Sequence, residues 1–264
     1  MSLITTSAAV WRDVRRPQRL IERSAMVYRR NWIIILSGLF EPMLFLLSIR
    51  VGLSELVGDV AVSGRRVAYD EFVAPGLLAA AAMNGAIFDS TMNIFHKWKA
   101  SKLYDALLTT PLTAADIAVG EIGWAVLRGV LYAIAFLVTM ATMGMVESAW
   151  IVMAVPIAAL IGFSFAALGM AATTFMRSWA DFEYVPAATL PLFLFSATFY
   201  PVSAYGEWSW VVNLSPLYHG VELVRAANLG VWEADLLAHA AVLVVLGLAG
   251  TTVAARRIEK LLLS

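Results

Sequence analysis

Residues 190–230 read LPLFLFSATFYPVSAYGEWSWVVNLSPLYHGVELVRAANLG. The stretch starts as an apolar helix, breaks at Pro201, and resumes as short amphipathic pieces carrying Trp208, Trp210 and Tyr218. It breaks again at Pro216 and presents His219, Glu222 and Arg225 ahead of another long apolar run. In hydrocarbon every backbone polar group needs a partner. A Pro-interrupted polar segment between two membrane crossings therefore requires protein or a water-filled cavity around it.

The rest of the chain supports a membrane setting. Of its 264 residues 61% are hydrophobic and 14% charged, with no cysteine; soluble domains carry about 25% charged residues. The apolar excess is gathered in runs near the ~20 residues that cross a bilayer. The predicted fold class is an all-α polytopic membrane protein, a single unit over 1–264. An N-terminal interfacial segment occupies 1–30 and a six-span bundle 31–264. Spans are expected at about 31–56, 70–95, 114–142, 149–175, 184–200 and 236–255, with a polar connector at 58–69 and the broken, re-entrant-type segment between spans five and six. Seven arginines precede a full-length first span. A cleavable leader has only about 7–15 apolar residues, so none is expected.

Leu20, Ile21, Ala25, Tyr28 and Trp32 recur at helical spacing, with Arg16, Arg19 and Arg23 on other faces. That pattern predicts an amphipathic helix lying along a membrane surface; the plainer alternative is a basic anchor for the next span. Glu41 precedes a kinking Pro42 inside span one. A glutamate there faces the bundle or a cavity, so it either lines the transport path or a subunit contact, or is hydrogen-bonded within the bundle to hold the kink. Asp89 lies in a polar cluster ending span two. Glu121 and Arg128, seven apart, share a helix face and are expected to form a bundle-facing ion pair. Small residues Gly162, Ala166 and Gly169 permit close helix contact within the subunit. Between spans two and three, Lys97, Lys99 and Lys102 lead into a short helix whose apolar face is Leu103, Leu107 and Leu108, ended by Pro111. Phe193, Phe195 and Phe199 sit deep enough to line a path for an amphipathic molecule, whereas Trp208 and Trp210 suit an interfacial belt.

Orientation follows from basic residues. With six spans, one side collects fourteen Lys and Arg and the other four, so both termini are expected in the cytoplasm of a multi-pass cell-membrane protein. A phosphate loop needs a Gly–Lys pair; the four lysines, Lys97, Lys99, Lys102 and Lys260, follow no glycine. His219 and Glu222 could supply two metal ligands on one turn, yet a site needs three or four, so no metal is expected. No Gly–x–Ser–x–Gly frames a nucleophile. The residues support neither an enzyme nor a nucleic-acid partner.

Several motifs together resemble the ABC-2 type permeases, the membrane subunits of ATP-driven exporters. They are Leu107-Leu108-Thr109-Thr110-Pro111-Leu112, Gly120-Glu121 opening span three, Phe72–x–x–Pro75-Gly76-Leu77, Ala82-Met83, and the series Pro201, Pro216, His219, Glu222, Arg225. The chain looks most like the NodJ-like exporters of lipo-oligosaccharides and the daunorubicin-type drug exporters. The resemblance implies a coupling helix (Leu103, Tyr104, Leu107, Leu108, Thr110, Pro111) docked on an ATPase subunit that binds ATP and Mg. It also implies two ATPase copies, a second permease copy, either identical or a close paralogue, contact with membrane lipid, and an inner-membrane location. The mostly aliphatic spans favour a lipid-like or drug-like substrate over a long glycan. The rival reading is a stand-alone secondary transporter or channel, which calls for mid-membrane ionisable residues and inverted repeats.

Overall fold

The computed structural model describes residues 17–27, 29, 32–62 and 64–262. Arg16 and Tyr28 lie outside them, as does the side chain of Glu41. Helix α1 covers 17–27. Then come α2 (Trp32–Gly52), α3 (Ser54–Val57), strands β1 (Asp59–Val62) and β2 (Arg65–Ala68), and α4 (Tyr69–Phe88). Helix α4 continues through two π-helical turns, Asp89–Asn93 and His96–Ala100, into α5 (Leu103–Leu108). The long helices α6 (Ala114–Thr142) and α7 (Ala154–Thr173) follow, then α8 (Tyr184–Leu194), α9 (Ser209–Leu214), α10 (Pro216–Leu229) and α11 (Leu236–Leu262).

Among the described residues four helices are long and apolar enough to cross a membrane: Tyr69–Ala100, Ala114–Thr142, Ala149–Thr173 and Leu236–Leu261. They coincide with predicted spans two, three, four and six. Span one falls on α2, 21 residues with Pro42 inside. The stretch read as span five holds a shorter helix than expected. Helix α8 has 11 residues, about 16 Å at 1.5 Å per residue, and its 3-10 lead-in Trp179–Glu183 adds about 10 Å. The helix stops at Leu194 rather than at Pro201, because the chain turns at Ala197, where φ is +54°. The connector at 58–69 is a β-hairpin, with Val62 opposite Arg65 across a two-residue turn ending in Gly64. Gly64, at φ +75°, supplies the positive φ that such hairpins need.

The core is built where small residues let helices meet. Cβ atoms placed at Gly247 and Gly250 of α11 would collide with Phe163 and the Ala167–Leu168 backbone of α7. One at Gly169 of α7 would strike Ser90, whose carbonyl accepts a 3.1 Å bond from Thr173. Gly162 faces Val126 of α6. The small residues thus serve contact within the chain, as expected. Helix α1 uses the same device: Leu20 is buried, and Cβ atoms at Gly120 and Gly123 would meet Leu20 and Ile21. Its apolar stripe therefore rests on the start of α6, with Arg19 exposed and Arg23 half-buried.

The two ends of the bundle differ in chemistry. The hairpin end gathers β1–β2, the turn after α6 and the end of α10, tied by Arg50 to the Met143 carbonyl and by Asn228 Nδ2 to the Met145 carbonyl at 3.3 Å. The α5 end gathers α1, the π turns and the end of α11. There Arg257 donates from Nε to Thr174 Oγ1 at 3.1 Å and from Nη2 to the Thr174 carbonyl at 3.2 Å, satisfying the open carbonyl terminus of α7.

Candidate functional site

Between α2, α4 and α8 lies a recess of about 540 Å³, within the roughly 300–1,000 Å³ of ligand pockets. Pro42 and Phe45 form one wall, Leu77 and Ala80 another, and Pro186, Leu190 and Phe193 the third. Asn84 and Thr189 supply its polar groups. Phe199 meets Phe45 and Phe193 edge-on at centroid distances of 5.7 and 5.1 Å, so three rings close one side. Of the residues singled out from sequence, Phe193 lines the recess and Phe199 packs beside it. Phe195 is exposed and leans toward Tyr205. Asn84 was overlooked, although an amide in an apolar span is a recognisable signal.

The turn that ends α8 frees carbonyls that no helix satisfies, and side chains from elsewhere take them up. Ser215 Oγ donates to the Leu192 carbonyl at 2.9 Å, Ser196 Oγ to Phe193 at 2.7 Å and Tyr205 Oη to Leu194 at 3.1 Å. Tyr69 Oη reaches Phe199 at 3.2 Å, and Arg225 Nη2 reaches Ala197 at 2.7 Å. This is the condition for irregular backbone at membrane depth. Pro216 opens α10 at its first turn, where a missing N–H costs nothing, and Pro201 begins the 3-10 turn Val202–Trp208. Helix α10 then packs against α4, α7 and α11, with Gly220 pressed on Ile161 of α7.

Arg225 is the centre of this arrangement. It is buried, pairs with Glu222, and sits 4.4 Å over the Phe72 ring. Thr198 abuts Gly76 so closely that any Cβ there would collide with it. His219 and Glu222 turn to different partners. His219 Nε2 donates to the Asn213 carbonyl at 3.1 Å, which leaves Nδ1 to accept from His239 Nδ1 at 2.7 Å. Burial and the neighbouring His239 hold the His219 pKa down, against the Asn213 bond, which raises it.

At the α5 end the predicted Glu121–Arg128 pair is not formed. Glu121 accepts from Lys97 Nζ at 2.6 Å, and Arg128 Nη1 lies 3.3 Å from Asp89 Oδ1. Seven residues put the two side chains on one face but about 10 Å apart along the axis, beyond ion-pair reach. Asp89 also accepts from Asn93 at 2.7 Å, and Arg128 donates to Tyr132 Oη at 3.1 Å. Asp89 is thus buried among α4 and α6 and does not line the recess.

Helix α5 forms where the Leu-rich pattern placed it, but its apolar face turns inward. Tyr104 is buried, and Leu103, Leu107 and Leu108 are half-buried against the main core. Burial, then the adjacent Glu121 carboxylate, pushes the Tyr104 phenol well above its ordinary pKa. The outward face is Asp105, Ala106, Thr109, Thr110 and Pro111. Thr113 and Asp116 then form a capping box that starts α6.

The family profile described as "ABC-2 type transporter" matches residues 18–229. Nodulation protein J of Rhizobium meliloti (strain 1021) is 30% identical over 214 residues, 77% of this chain and 80% of that protein. Its namesake in Sinorhizobium fredii (strain NBRC 101917 / NGR234) is 32% identical over 213 residues, again 77% and 80%. That of Rhizobium leguminosarum bv. viciae is 30% identical over 227 residues, 82% and 86%. The profile takes in α1, the recess, α5 and the whole broken segment through α10, and with the apolar helices it establishes that this chain is a membrane-integral member of the ABC-2 type transporter family.

Proposed function

We propose that the chain is the membrane-spanning subunit of an ATP-driven exporter that moves an amphipathic substrate out of the cytoplasm or inner leaflet. The observation that carries the substrate class is the recess: apolar walls large enough for a lipid-like or drug-like body, with one amide and one hydroxyl to orient a polar part. Six crossings are reached if α2 is the first and the Trp179–Leu194 unit, about 26 Å long, is the fifth. Both termini and α5 then face the cytoplasm, in line with the basic bias. Permeases of this family generally work with an ATP-binding cassette ATPase. In our reading two such subunits bind ATP and Mg and dock on the outward face of α5 in two permease copies.

The test is biochemical. Tagged chain expressed alone should bind no ATP, whereas co-expression with its ATPase should yield a complex with ATPase activity. Saturable ATP binding by the isolated chain would refute the division of labour. Substrate-dependent transport by the chain alone, driven by an ion gradient, would favour a secondary transporter instead.

A further inference from the structure

Two buried ion pairs join the α5 ends of α4 and α6: Asp89 with Arg128 and Lys97 with Glu121. Their polarity alternates, since α4 presents an acid and then a base, and α6 the complement. Sliding either helix by one rung would bring like charges together, so the ladder fixes the register. It exists because of the π turn at Asp89–Asn93. In an uninterrupted α-helix eight residues leave Asp89 and Lys97 about 80° apart; one residue accommodated in a wide turn brings them within about 20°. Glu121 and Arg128, seven apart on α6, are also about 20° apart. Both pairs can therefore meet.

The lower rung involves more than two helices. Lys97, the partner of Glu121, belongs to the π turn His96–Ala100, which packs on α5, and Gly120 next to Glu121 carries Leu20 of α1. Helices α1 and α6 and the second π turn meet at Glu121, and α5 begins directly after that turn.

We propose that Glu121 is a positioning residue for energy coupling: its ion pair with Lys97, in the π turn that leads directly into α5, fixes that turn to α6, so that a push on α5 moves α4 and α6 with it. This rests on the reading that α5 meets the ATPase. A loosely tethered α5 would yield to the push locally. A laddered one passes it along α4, whose Leu77, Ala80 and Asn84 line the recess.

The chain has no cysteine, so spin-label pairs can be introduced cleanly in the ATPase-bound complex. Labels at Lys102, which caps α5, and Val119 span α5 to α6; labels at Thr142 and Leu237 span the hairpin ends of α6 and α11. With Mg-ATP and vanadate the first distance should stay narrow and unchanged while the second shifts. The test variant is Lys97→Met with Glu121→Leu, which removes both charges together. Apolar replacement of a whole buried pair is often neutral or stabilising, whereas one unpaired charge is not. The variant should retain its ATPase, broaden the 102–119 distribution and lose the 142–237 shift. Narrow 102–119 distances with a full 142–237 shift would overturn the inference and leave docking standing. Docking is checked separately with Asp105→Arg plus Thr109→Trp on the outward face of α5. ATPase co-purification at unaltered yield there would remove the docking reading, and the inference with it.

Discussion

Replacing Arg225 by alanine should be among the most damaging single changes at the hairpin end. The guanidinium is buried and engages Glu222, the Ala197 carbonyl at 2.7 Å and the Phe72 ring. Removing one partner of a buried ion pair costs about 3–5 kcal/mol, and an orphaned buried acceptor about 1–3 kcal/mol. The two costs share one side chain and do not add in full, so about 4 kcal/mol is a fair expectation for the whole. A chain of this size loses about 2–4 °C of Tm per kcal/mol, giving a drop of roughly 8–16 °C. Arg225→Lys should fall between, since lysine keeps a charge but loses the planar fork and the stack on Phe72. Nine tryptophans make intrinsic-fluorescence unfolding in detergent a direct assay. An alanine variant melting within 2 °C of the parent would refute the assignment of Arg225 as the clamp on the α8 break.

Three further outcomes are expected. A cysteine at Ser203 should react with an impermeant thiol reagent added outside cells and one at Ser101 should not; the reverse pattern would invert the proposed orientation. Because the folded state holds the His219 pKa below its ordinary value, the unfolded chain binds more protons once pH drops below about 6.5. Stability should therefore be full above that pH and decline as pH falls toward the depressed value; His219→Gln should flatten the Tm-against-pH curve, and an unaltered slope would dismiss the His219–His239 contact as its source. Leu107→Asp with Leu108→Asp should lower Tm as well as ATPase binding, since both leucines pack on the chain's own core; loss of binding at unchanged Tm would mean that they face the partner instead.

The four long helices were legible because a bilayer demands long apolar runs, and runs of that length survive any local irregularity. The α8 break was not. Its turn is carried by Ser196-Ala197-Thr198, with neither glycine nor proline, and its positive φ falls on an alanine. Sequence rules look for such a turn at glycine, and the conspicuous Pro201 drew the boundary several residues too late. The ion pairs were misassigned for a related reason. Spacing along one helix shows which residues share a face, but the partner is chosen across helices, and the π turn that aligns Lys97 with Glu121 leaves no compositional mark. The stripe of α5, and that of α1 at Leu20 and Ile21, fall where the pattern put them. What covers them was not readable, because lipid, a partner subunit and the chain's own core all accept leucine alike.

The distribution of polar contacts also says where movement costs least. The hairpin end is held by side chains bonded to the carbonyls of a broken helix, and the α5 end by a charge ladder. Between them, α8 has no buried residue and closes the recess with Pro186, Leu190 and Phe193. Apolar side chains facing lipid gain nothing by facing protein, so the exposed face of α8 sets little barrier to its displacement. Opening the recess thus requires parting the Phe45–Phe199–Phe193 contacts, each worth about 0.5–1.5 kcal/mol beyond area. Breaking either polar end would cost several times more. A push delivered through α4 should then separate α8 from it before it unmakes the clamp at Arg225.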